Sequence, residues 1–210
     1  MKILEVKDLS LPGVKVIRYG KFPDQRGYFA ETFRKSDIQK NENLSFLRDH
    51  DFAQINESYA VRGVIKGLHC QWQPPMGKLV RIIRGHMVDM ALDIRKASPT
   101  FGKIILYDMP DTSKEDFGEW IWIPPGFAHG MLFAEESIIE YFFTADYNPL
   151  AEAGIYPLAE DLDWSLCEPV LREKFQELAK QNVILSGKDK QGLSLEAWAG
   201  DPRSENFAYR

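Results

Sequence analysis

KLVRIIRGHMVDMALDI, residues 78–94, alternates over its second half with the period of an extended chain. Val88, Met90, Leu92 and Ile94 fall on one side and Met87, Asp89, Ala91 and Asp93 on the other, as they must when successive strand side chains point to opposite faces. Arg84-Gly85 reads as the turn of a hairpin joining this strand to KLVRII. Working outward, short runs rich in β-branched and aromatic residues recur at close spacing: GVKVIRY (13–19), YFAETF (28–33), AQINESYA (53–60), GKIILYD (102–108), EWIWIP (119–124) and SIIEYFF (137–143). Gly, Pro, Asn or Asp separate most of them, which predicts an all-β antiparallel sandwich or jelly roll rather than alternating βαβ units. Helix is predicted in two places. SDIQKNENLSFL opens with Ser36 as N-cap, and EPVLREKFQELAKQ carries an early proline with Leu171, Phe175 and Leu178 on one side.

A chain of 210 residues, 44% hydrophobic, is long enough for one large core, and residues 1–210 read as a single domain. The formal charge is −5 and the basic residues are scattered, which argues against nucleic acid as a partner. The N-terminal MKILEVKDLSLPGVKVIRYG has no apolar core followed by a cleavage site, and no run of apolar residues is long enough for a membrane span. A soluble, cytoplasmic protein is the expectation. Cys70 and Cys167 stand far apart without a CxxC pair, so both read as small packing residues.

His50, His69, His86 and His129 occur singly, without HxH or HExxH, and no glycine-rich phosphate loop is present. Neither a metal nor a nucleotide cofactor is therefore expected. His86 reads as an exposed residue after the turn glycine. Yet His69 and Lys78 stand where a buried sheet would carry aliphatic residues. A lone histidine in an apolar strand is ordinarily a hydrogen-bonded core residue, and a lone lysine there a guard against edge pairing.

Seven motifs in order change that balance: DQRGYFAETF (24–33), QINES (54–58), KGLHCQ (66–71), GKLVRIIRG (77–85), DIRKASPTFGK (93–103), WIPPGFAHG (122–130) and LSGKD (185–189). Together they resemble the dTDP-4-dehydrorhamnose 3,5-epimerases, enzymes of nucleotide-sugar metabolism. The resemblance implies a cupin jelly roll with a few short peripheral helices, usually a homodimer, working without metal or nicotinamide. The implied substrate is a nucleotide-linked 4-keto sugar, thymine-bearing by family default, with guanine or cytosine equally compatible with the residues present.

The chemistry fits the residue types. Protons on carbons beside a ketone are acidic enough for a base to remove, and a histidine titrates near neutrality. By resemblance that base is His69, oriented by Asp189, while the Lys78 ammonium holds the enolate oxygen. His129 matches a position that holds the sugar or the enolate oxygen. Arg26 resembles the residue that reaches the nucleotide or diphosphate across the dimer, Phe22 and Tyr147 are candidates to flank the base, and Glu31, Gln54, Asn56 and Gln71 match polar positions lining the pocket. Lys66 stands where the family usually has arginine, which keeps a charge but loses the bidentate fork.

A second departure bears on the product. The family motif resembling EFLYKTTDYY supplies a tyrosine acid, whereas this chain reads IEYFFTADYNP over 139–149. Counting from His129 or Asp146 puts Phe142 at the tyrosine's place, and anchoring on Glu140 puts Phe143 there. Tyr141 is one residue off, which on a regular strand means the opposite face; it serves only if a bulge re-aims it. In the family this chain resembles, the tyrosine is tied chiefly to C5 whereas C3 is open to reprotonation from solvent, so the sequence predicts a C3-epimerase. A full 3,5-epimerase using Tyr141 or water, and a non-catalytic sugar-nucleotide-binding cupin, are the alternatives. The tail 191–210 runs past the family core, and the sequence leaves open whether it closes the pocket, extends an interface or is disordered.

Overall fold

The computed structural model describes residues 1–209, so the last residue of the predicted tail, Arg210, lies outside the described residues. Its strands are β1 (Ile3–Asp8), β2 (Lys15–Gly20), β3 (Phe22–Asp24), β4 (Gly27–Phe29), β5 (Gln54–Ala60), β6 (Ile65–Gln71), β7 (Lys78–Arg84), β8 (His86–Asp93), β9 (Ile104–Pro110), β10 (Phe117–Ile123), β11 (Phe127–Phe133), β12 (Ser137–Phe143) and β13 (Glu152–Gly154). A six-stranded sheet runs β1-β2-β10-β7-β12-β5 and a five-stranded sheet β13-β6-β11-β8-β9, with β3 and β4 forming a separate hairpin. The helices are α1 (Lys35–Lys40), α2 (Pro169–Lys180), α3 (Gly187–Lys190) and α4 (Leu195–Gly200). This is the all-β antiparallel architecture that the strand spacing predicts, in the form the resemblance implies, a jelly roll with short peripheral helices, and no helix among the described residues is long and apolar enough to cross a membrane.

The predicted hairpin at Arg84-Gly85 is not formed. β7 lies between β10 and β12 in one sheet, and β8 between β11 and β9 in the other, so both edges of each strand are already paired. Gly85 carries the chain across the sandwich with φ +94°, and a Cβ there would lie 2.3 Å from the Glu136 carbonyl oxygen. Periodicity identifies two strands, but it carries no information on whether neighbours in sequence pair.

Three apolar clusters account for the layers. Val80, Ile82, Met87, Ala91, Ile121, Met131 and Phe133 meet between the sheets. Val88, Met90, Leu92 and Leu68 form the outer face of the five-stranded sheet, where Phe175 of α2 and Trp198 of α4 cover them. Ile17, Leu79, Trp120, Trp122 and Phe142 form the outer face of the other sheet, under Ile38, Leu44 and Leu47. Both faces of β8 are therefore buried, so Asp89 and Asp93 are interior carboxylates, at 1% and 0% exposure. Asp93 is satisfied locally by Arg95, Ser98 and Thr100. Asp89 is taken up by the site described below.

α2 presents Leu171, Phe175 and Leu178 to the core as its spacing predicts. α1 begins a residue before the predicted cap: Ser36 lies inside it, Arg34 occupies the cap position, and Asn41 caps the 3-10 turn that follows by accepting from Asn43. The tail is packed, with Trp198 fully buried and its indole N–H donating to the Ile94 carbonyl at 3.3 Å. His86 is not free either, since it pairs with Asp108 at 2.7 Å.

Candidate active site

A cleft of about 510 Å³ opens between the sheets, within the range typical of small-ligand pockets. Its position follows from an irregularity in β6. Gly67 has φ +103°, and a Cβ on it would stand 2.5 Å from the His129 carbonyl oxygen, so only glycine lets β6 close onto β11 here. The pairing slips at this point, His129 opposite His69 but Met131 opposite Lys66. Residues three apart face opposite ways on a regular strand; after the slip both Lys66 and His69 line the cleft.

His69 Nε2 lies 2.7 Å from Asp189 Oδ1. Asp189 is fixed in turn, its other oxygen accepting from Ser186 Oγ at 2.7 Å at the start of α3. Burial pushes the Asp189 carboxyl up, but hydrogen bonds from His69 and Ser186 outweigh it and hold the group below its ordinary range. With Nε2–H donating to Asp189, Nδ1 carries the lone pair. Glu152 Oε1 stands 3.4 Å from Nδ1, while its Oε2 accepts from the Tyr147 hydroxyl at 2.7 Å and pairs with Lys188. Burial raises Glu152, yet hydrogen bonds from Lys188 and Tyr147 outweigh it and hold the carboxyl below its usual value. The Tyr147 phenol is pushed up to about 12, chiefly by that hydrogen bond to Glu152.

Lys78 enters from the opposite sheet. β7 is an interior strand, which disposes of the edge-guard reading, and Lys78 Nζ donates to the His69 carbonyl oxygen at 3.1 Å. Burial holds its pKa below that of an ordinary lysine. His129, on β11, is buried with Nε2 2.7 Å from Asp89 Oδ2; burial depresses it although Asp89 acts the other way. Asp89 Oδ1 has no hydrogen-bond partner among the described residues.

On β12 the alternation is decisive. Tyr141 and Phe143 line the cleft, stacked at 5.6 Å, and the Tyr141 hydroxyl donates to Met131 Sδ at 3.3 Å. Phe142 points the other way, into an aromatic cluster with Phe33 at 4.9 Å and Trp120 at 5.0 Å. Its assignment as a pocket residue is corrected: β12 pairs with β5 without interruption from Ser137 to Phe143, so its side chains alternate strictly, and with Tyr141 and Phe143 facing the cleft Phe142 faces away.

The other expected binding residues divide. Asn56, Lys66, Gln71 and Tyr147 line the cleft, and Gln54 borders it, donating to Asn56 at 2.9 Å and accepting from the Tyr147 amide at 2.8 Å. Gln71 ties loops together, donating to the Pro74 and Asp146 carbonyls and accepting from the Asn148 amide. Phe22, Arg26 and Glu31 are not in their own chain's cleft. The first two stand exposed on the β3–β4 hairpin, where Arg26 pairs with Asp24, and Glu31 pairs with the N-terminal amine and Arg34. These residues follow β2, near the sheet edge away from β5 and β12, so chain topology keeps them from the cleft. Glu152 was not expected from sequence; a single carboxylate in LAEAG carries no recognisable spacing. Among the described residues no three histidine, cysteine or carboxylate side chains are grouped so as to hold a metal ion.

A family model described as dTDP-4-dehydrorhamnose 3,5-epimerase matches residues 8–197. The dTDP-4-dehydrorhamnose 3,5-epimerase of Methanothermobacter thermautotrophicus is 41% identical over 160 residues, covering 75% of this chain and 82% of the relative. That of Sinorhizobium fredii is 40% identical over 192 residues, 90% of this chain and 88% of the relative. Among solved structures, a dTDP-6-deoxy-D-glucose-3,5-epimerase from Legionella pneumophila in complex with dTDP-4-keto-L-rhamnose superposes with a TM-score of 0.80 at 30% identity, over 98% of each chain.

Proposed function

This chain belongs to the dTDP-4-dehydrorhamnose 3,5-epimerase family, and we propose that it inverts both C3 and C5 of a dTDP-linked 4-keto-6-deoxy sugar. The observation that carries this reading is the placement of an imidazole and a phenol on opposite sheets, His69 on β6 and Tyr141 on β12, facing one cleft. Inversion needs a base on one side of the carbon and an acid on the other. The C3-only expectation rested on a phenylalanine at the acid's place; the phenol of Tyr141 facing the cleft supports double inversion.

His69 takes the proton beside the C4 carbonyl through Nδ1, while Asp189 holds the ring by Nε2–H and stabilises the imidazolium that forms. Lys78 supplies positive charge to the enolate oxygen, in a position where burial makes each charge count for more than in water. His129, held by Asp89, bounds the same region. Tyr141 returns a proton to the opposite face. Lys66 and Lys188 supply cations for the diphosphate, and Tyr147 a ring for the thymine. The active species is a homodimer in which the 22–29 hairpin, with Phe22 and Arg26, and the nearby Glu31 serve the partner's cleft; the exposure of Phe29, at 65%, and of the Arg26 side chain, at 84%, supports this.

Incubation with a dTDP-4-keto-6-deoxy sugar in D2O, followed by NMR, tests the assignment. Deuterium uptake with inversion at C3 and C5 is expected. Inversion at C3 alone would establish the C3-epimerase instead, and no exchange at either carbon would leave a binding protein.

A further inference from the structure

The stacking of Tyr141 on Phe143 fixes the plane of the phenol, but the O–H bond still turns about the C–O axis. Among the described residues one group fixes it: the thioether of Met131, 3.3 Å away on the opposite sheet. Met131 is 1% exposed and lines the same cleft. A thioether is a weak acceptor. It spares the enclosed hydroxyl the cost of having no partner, yet holds the proton less firmly than a carbonyl or carboxylate oxygen would.

We infer that Met131 is a positioning residue for reprotonation, parking the Tyr141 proton at the cleft wall until the enolate draws it away. The inference rests on Tyr141 being the acid. In that step the O–H turns from sulphur to carbon, the enolate π electrons form the new C–H bond, and the C4 oxygen returns to a carbonyl. The phenolate left behind regains a proton from solvent, and the proton on His69 passes to water. An oxygen acceptor at position 131 would compete with the carbanion, and an aliphatic residue would leave the hydroxyl free to point elsewhere.

Met131→Leu keeps the volume and removes the acceptor. In D2O, the rate of deuterium entry at C5 relative to C3 is expected to fall about threefold to tenfold, the range that follows from one modest hydrogen bond. Exchange at C3 reports folding and base function in the same sample. An unchanged ratio, or an equal fall at both carbons, overturns the inference. Tyr141→Phe, assayed alongside, separates the two layers. Loss of C5 inversion there with an unchanged ratio in Met131→Leu defeats the positioning role alone, whereas intact C5 inversion in Tyr141→Phe defeats the acid assignment and the positioning role with it.

Discussion

Lys78 on β7 donates its ammonium to the main-chain carbonyl of His69 on β6 at 3.1 Å, a bond that spans the two sheets. The cation is thus anchored to the backbone of the residue that carries the imidazole. Lys78→Met removes the charge while keeping the stem, and should lower kcat by about 10²–10³-fold, the scale of losing one oxyanion donor. Steady-state kinetics beside a circular dichroism spectrum separate this from misfolding.

The same lysine makes the alkaline limb diagnostic. Burial lowers its pKa from the ordinary 10.5, and the enolate needs the protonated form. Activity should therefore fall as pH rises through a value below 10.5, where an exposed lysine is still charged. In Lys78→Arg, whose charge persists to higher pH, that limb should move upward. Coincident pH profiles of kcat/KM for the two proteins would count against the assignment.

His69→Ala should lower kcat by about 10²–10⁴-fold, the usual contribution of a general base. Binding of dTDP, measured by calorimetry, should change little. Asp189→Asn should lower kcat as well, since the amide no longer compensates the imidazolium. A His69→Ala protein with full activity would remove His69 from the base's role.

Tyr141 and Phe142 can be told apart by exchanging their chemistry. Tyr141→Phe should retain deuterium exchange at C3 and lose inversion at C5. Phe142→Tyr should gain no activity and should cost stability by about 1–3 kcal/mol, because its hydroxyl would be buried among aromatic rings. Activity restored at C5 by Phe142→Tyr in a Tyr141→Phe background would reverse the assignment of faces.

Trp198 lies beyond residue 197, where the family match ends, yet it is fully buried beneath the sheet that carries His69 and His129. Trp198→Ala should destabilise the protein by about 3–5 kcal/mol. A thermal melt unchanged within a degree would mean the tail is not part of the folded core.

Strand content and fold class were legible because alternation in residues 86–94 and the spacing of the other runs are local signals. The two-sheet arrangement was not. Nothing in Arg84-Gly85 distinguishes a hairpin turn from a crossing, since the difference lies in which strands have already claimed each edge. The same limit explains Phe142. Which face of β12 turns to the cleft is set by the layers it packs between, and an apolar and aromatic run such as SIIEYFF does not record it. His69, Lys78, Asn56 and Asp189 were singled out by motif, and the fold brings them to one cleft. Glu152 and Met131 join them through tertiary approach alone. Two carboxylates on the inward face of a strand, Asp89 and Asp93, were a signal in the sequence; with both faces of β8 buried, each needs a designated partner.

Imidazole and phenol reach the cleft from walls that are hydrogen-bonded within themselves and joined to each other largely by apolar packing. Stereochemical outcome is therefore a modular property of this architecture. On the proposed roles, substitutions on the cleft face of β12 change which carbon is inverted while His69, Asp189 and Lys78 stay in place, so a change in the number of inversions need not abolish proton abstraction.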